Sequence, residues 1–158
     1  MIGNRGFTRI EMLAVAAIVS IVTSAAVPEY LSWLPRWRLK SAAIDLFSNL
    51  QLAKVTAIRR GISCRVLYRP GGYCISLASS GAVLKTVTLE DYGSGVAFRG
   101  PPPTCRTYSR SQITFNSRGL SNAGYAYLSA ADAGVHYRVG PTTAGVIKLQ
   151  KLVGKKWR

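Results

Sequence analysis

The hydrophobic pattern of this chain changes period twice. From Met12 to Val27 (MLAVAAIVSIVTSAAV) sixteen residues carry no charge, with Arg5, Arg9 and Glu11 before them and Pro28 after. Counted from Phe7 the stretch is 21 residues, roughly 31 Å of helix at ~1.5 Å per residue, which matches the hydrocarbon core of a bilayer. The basic residues lie ahead of the run, so the positive-inside rule predicts a cytoplasmic N-terminus and an extracytoplasmic body.

Beyond Pro28 the period becomes helical. Leu39, Ala43, Leu46, Leu50, Ala53 and Ala57 recur at spacings of 4, 3, 4, 3 and 4, with Ile44, Phe47 and Ile58 widening the stripe, which predicts an amphipathic helix to about Arg60. Gly61 supplies its stop, and Pro28 and Pro35 are expected to bend or loosen it. Trp33, Arg36, Trp37, Arg38 and Lys40 fit an interfacial belt of aromatics and cations.

From Ile62 onward the alternation is that of strands. Ser63–Leu67, Tyr73–Leu77 and Val83–Leu89 read as a meander around Pro70-Gly71-Gly72 and Ser79-Ser80-Gly81 turns; Gln112–Phe115, Gly124–Leu128, Val135–Val139 and Gly145–Leu149 follow. The reading is therefore α+β, a long N-terminal helix and a C-terminal antiparallel β-rich part.

Composition narrows the classes of function. At 158 residues, 48% hydrophobic and 17% charged, the chain is neither disordered nor large enough for two well-filled cores. Its net charge of +15 makes phospholipid or nucleic acid plausible neighbours. No cysteine and histidine spacing suggests a metal, and no cofactor loop is legible. His136 is the single histidine, in a strand-like stretch with no assignable nucleophile, so the chain does not read as an enzyme. Cys64, Cys74 and Cys105 in an oxidising compartment lead to the expectation of one intramolecular disulfide, Cys64 with Cys74 ahead of a bond to Cys105.

Two further segments carry chemistry. Glu11 stands at the edge of an apolar run, where a carboxylate is costly and usually marks function or a partner. Lys148, Lys151, Lys155, Lys156 and Arg158 place five cations in the last eleven residues, with Trp157 among them. Cations for phosphates and an aromatic for stacking are what non-specific DNA contact needs; a solvated or partner-docking face is the competing reading of the same residues.

Gly6-Phe7-Thr8-Arg9-Ile10-Glu11, with a short basic leader, a glutamate fifth after the glycine and a pure apolar stretch to Pro28, resembles the type IV prepilin signal. A secretory signal cleaved after Ser24-Ala25-Ala26 is its rival, leaving an ordinary secreted β-protein. The prepilin resemblance implies cleavage between Gly6 and Phe7 by a prepilin peptidase, N-methylation of Phe7, and pairing of Glu11 with the Phe7 amine of a neighbouring subunit. Arg9 stands where the family usually has an apolar residue. The long helix, the strand meander, and Ile113-x-Phe115-x-x-x-Gly119 are similar to minor pilins and pseudopilins of the GspH/FimT type. That likeness implies a leader over 1–6, a transmembrane or filament-core helix over 7–28, an amphipathic helix over 29–60 and a β-rich periplasmic domain over 61–158. It also implies a structural role, priming or capping a type IV pilus or type II secretion pseudopilus beside other minor pilins at the inner membrane. The alternative within the family is a minor pilin that binds double-stranded DNA during uptake.

Overall fold

The computed structural model describes residues 8–93, 95–102, 107–131, 133–154 and 156–158; Gly6, Phe7, Cys105 and Lys155 lie outside them. The chain divides into two compact units, Met1–Leu34 and Pro35–Arg158. Helix α1, Arg9–Arg60, contributes to both.

In the first unit α1 begins on Thr8. The backbone N–H of Glu11 donates to Thr8 Oγ1 (3.3 Å), and the Thr8 N–H donates to Glu11 Oε2 (3.4 Å). This reciprocal capping box satisfies two donors that the first turn leaves without helical partners. Along the apolar run Ser20 and Thr23 donate to the carbonyls of Ala16 (2.7 Å) and Val19 (2.8 Å), and Ser24 donates to Ile21 (2.7 Å). The hydroxyls are thereby satisfied within the helix, as an apolar surrounding demands. The helix continues without interruption through Pro28 and Pro35. Each ring removes one N–H, so the cost is one orphaned carbonyl four residues back, at Ser24 and Leu31, and not the end of the helix.

In the second unit α1 buries Leu39, Ala42, Ala43, Leu46, Asn49, Leu50, Ala53 and Ala57. The six residues of the 4-3-4-3-4 stripe are all fully buried, whereas Ile44 and Ile58 are each 46% exposed, so the stripe widens toward Ala42 and Asn49 instead. Gly61 stops the helix at φ 65°, a conformation that costs residues with a Cβ, and Arg59 and Arg60 face the negative end of its dipole.

The first sheet contains β1 (Cys64–Arg69), β2 (Gly72–Leu77), β3 (Val83–Thr88) and, after a 3₁₀ turn Leu89–Tyr92 and a short β4 (Val96–Phe98) that belongs elsewhere, β5 (Gln112–Phe115). Its order is β3-β2-β1-β5. The second sheet has the order β4-β6-β7-β8-β9, with β6 Ala126–Ala130, β7 His136–Pro141, β8 Ile147–Val153 and β9 Lys156–Trp157. All pairings are antiparallel.

The register of the first hairpin overturns the Cys64–Cys74 bridge. Cys64 stands opposite Leu77 and Cys74 opposite Leu67, an offset of three residues. An odd offset puts two side chains on opposite faces of a sheet: Cys64 is fully buried with Val66 and Ile75, while Cys74 lies half-buried on the other face. Both are free thiols.

The core of the second unit combines the α1 stripe with Ile75, Ile113, Phe115, Leu128 and Val139, all fully buried. Tyr68 joins the sheets through rings: it stacks on Tyr108 (centroids 5.8 Å) and meets Phe98 edge-on (5.5 Å). The Ile113-x-Phe115-x-x-x-Gly119 pattern has a packing cause, because Gly119 (φ +79°) lies against the Ile58 and Lys54 side chains. Its carbonyl abuts Gly145, where an added Cβ would come within 1.8 Å of that oxygen. Lys54 Nζ then donates to the Gly145 carbonyl (3.0 Å), tying the helix to the β7–β8 turn.

A buried polar network fixes α1 against the first sheet. Asn49, 4% exposed, donates through Nδ2 to Asp45 Oδ2 and to the Tyr73 hydroxyl (both 2.7 Å) and accepts Lys85 Nζ at Oδ1 (2.9 Å). Asp45 Oδ2 also accepts the hydroxyls of Tyr73 and Tyr92. Burial, and for Tyr92 the Asp45 carboxylate next, push both phenols well above their usual range, so they remain donors. A network satisfied this fully specifies one docking of the helix.

Candidate functional site

Two regions of the surface hold chemistry. The first is the apolar half of α1. One helix among the described residues is long and apolar enough to cross a membrane, and none of its most apolar 18-residue window is buried. Ile10, Leu13, Ile18, Ile21 and Val22 are each more than 60% exposed. Fully burying one such side chain is worth about 1.5–3 kcal/mol, so this face gains stability wherever lipid or other helices cover it. Glu11 lies at the start of this face. Its capping contacts through Oε2 are long, at 3.4 and 3.5 Å, and its carboxylate retains capacity for a cation. The capping role is legible in Thr8-x-x-Glu11, a signal that the costly-carboxylate argument passes over. Gly6 and Phe7 lie outside the described residues.

The second region is the outer face of the second sheet. Lys148 and Lys151 are an odd number of residues apart on β8, so they point to opposite faces. Lys156 is exposed, Lys155 lies outside the described residues, and Arg158 closes the β8–β9 hairpin through two backbone bonds with Lys151 (2.6 and 2.9 Å). Trp157 is engaged: its ring meets Tyr127 (centroids 5.8 Å), and the Arg138 guanidinium sits 4.7 Å from its centroid. Arg138 is also 4.8 Å from the Tyr125 centroid and donates through Nε to Gln150 Oε1 (2.9 Å). The tail is thus folded onto the sheet as a strand, with its indole covering an arginine.

Tyr125, Tyr127 and Arg138 were not singled out by sequence. The available signal is period-2 alternation, Tyr125/Tyr127 just before and within β6 and His136/Arg138 on β7, each pair with a buried residue between. Register places Tyr127 opposite Arg138 and Arg138 opposite Gln150, pairings that only the sheet order specifies. No group of three or more metal-ligating side chains occurs among the described residues.

A long N-terminal helix packed on antiparallel sheets is the fold of minor pilins and pseudopilins. The type IV minor pilin FimU of Pseudomonas aeruginosa (strain PAO1) is similar at a TM-score of 0.58 and 18% identity, with 78% of this chain and 94% of that one covered. The minor pseudopilin EpsH from the type 2 secretion system of Vibrio cholerae is similar at a TM-score of 0.54 and 16% identity, covering 71% and 95%. GspH of E. coli is similar at 0.50 and 13%, covering 72% and 88%. No curated protein sequence matches the chain. The family model described as Type II transport protein GspH matches residues 42–145, and the chain belongs to that family.

Proposed function

We propose that this chain is a minor pilin or pseudopilin that enters a short fibre and primes or caps its assembly. Its leader, Met1–Gly6, is removed by a prepilin peptidase, and Phe7 becomes the N-methylated first residue. The apolar half of α1 holds the subunit in the inner membrane, N-terminus cytoplasmic and second unit periplasmic, until it joins the helices of other pilins. The observation that carries this reading is the unburied apolar half of α1, together with membership of the GspH family. Glu11 then serves assembly: among packed helices an unpaired carboxylate is costly, and the Phe7 amine of a neighbouring subunit, or the Arg9 side chain, supplies the cation.

Intact-mass measurement of the membrane-extracted protein tests the processing step. The expected mass lacks Met1–Gly6 and carries one added methyl, and Gly6→Trp leaves the precursor uncut. A mature N-terminus at Val27 is the outcome that overturns the reading. Glu11→Ala is expected to leave the subunit processed but to reduce its recovery in sheared fibres severalfold.

A further inference from the structure

Register lines up alternate residues of β4, β6 and β7 on the outer face of the second sheet. Ser129 stands opposite both Ala97 and His136. Arg99, two residues past Ala97, falls on the same face, and its N–H extends the pairing by donating to the Tyr127 carbonyl (3.0 Å). Around these side chains is a cavity of about 170 Å³, walled by Arg99, Ser129, His136, Gly100, Ala131 and Gly134 among others.

The wall is rich in donors. Arg99 is exposed and brings a guanidinium. Ser129 is only 6% exposed and brings a hydroxyl that can donate. His136 is half-buried, and its Nδ1 is buried without a partner among the described residues. When protonated, the imidazolium donates from both ring nitrogens. Arg99 is the one charged side chain lining the cavity among the described residues. The neighbouring cation on β7, Arg138, is turned to Tyr125, Trp157 and Gln150. A cation would be repelled here, and an apolar group would leave the donors unsatisfied. The volume also lies below the ~300–1,000 Å³ of small-molecule sites, which leaves room for one acid group.

We propose that this cavity binds a single oxyanion, a carboxylate or phosphate group, held by Arg99, Ser129 and His136. The carboxylate would come from an acidic side chain of a neighbouring subunit, the phosphate from solution or a lipid headgroup. Burial first and the Arg99 charge second hold the His136 imidazole below its ordinary value. An anion in the cavity offsets the Arg99 charge and favours imidazolium, so occupancy raises the titration midpoint.

His136 is the single histidine of the chain, so its ring resonance is identified without assignment. The full chain in an uncharged detergent is titrated by proton NMR in sodium chloride, sodium phosphate and sodium acetate at equal ionic strength. The midpoint is expected to rise by about half a pH unit or more over chloride and to lose that rise in Arg99→Gln. That variant alters an exposed side chain and spares the core. A rise in acetate assigns the site to a carboxylate, and a rise confined to phosphate assigns it to phosphate. Equal midpoints in the three salts, or an undiminished rise in Arg99→Gln, overturn the proposal.

Discussion

For Glu11 one role is observed, in the first turn of α1, and the second is the one proposed above for assembly. In the single chain it completes a capping box with Thr8, and in a packed bundle its charge needs a cation. The spacing Thr8-x-x-Glu11 makes the first role readable from sequence, because both partners lie within one turn. The cysteines show the reverse: which face each occupies depends on β1–β2 register, and an offset of one residue reverses the answer. Burial, opposed in part by the Arg60 charge, raises the Cys64 thiol above its ordinary value. Cys74 instead lines an open cavity of about 250 Å³ with Arg69, Thr86 and Thr88. Under native conditions iodoacetamide is therefore expected to label Cys74 well before Cys64, read by peptide mapping; equal rates would contradict the register.

Helix α1 was legible because its code is local and repeated. Leu39 to Ala57 keep helical spacing over five turns, and every stripe residue is buried. Leu50→Ala, at a fully buried position, is expected to cost about 2–5 kcal/mol in chemical denaturation. Leu52→Ala, at a position 47% exposed, is expected to change stability by less than about 0.5 kcal/mol. The longer strands were legible by alternation, with ends displaced by one or two residues, and β8 runs on to Val153 beyond the expected Leu149. The 3₁₀ turn, β4 and β9 were not read. β4 has three residues and β9 two, too few for a period to show, and they exist because β6 and β8 offer free edges. Gly145 looked like a strand start but is a turn residue at φ +71° pressed on the Gly119 carbonyl, a constraint visible only once two distant turns meet.

At the scale of the molecule, the buried core begins at Leu39 among the described residues, and the first unit contributes none of it. A chain starting at Pro35 is expected to remain folded, to stay in solution without detergent, and to melt cooperatively within a few degrees of the full chain in circular dichroism. Loss of cooperative melting would show that the first unit supports the second. The sequence by itself determined the long helix, its apolar and amphipathic halves, the β-rich remainder and the family resemblance, because each rests on a period or motif carried by neighbours in the chain. Only the tertiary structure decided that Cys64 and Cys74 stand on opposite faces, that Trp157 covers Arg138, and that Arg99, Ser129 and His136 share one cavity. Those placements depend on sheet order and register, set by contacts among residues far apart in sequence, and no local pattern records them.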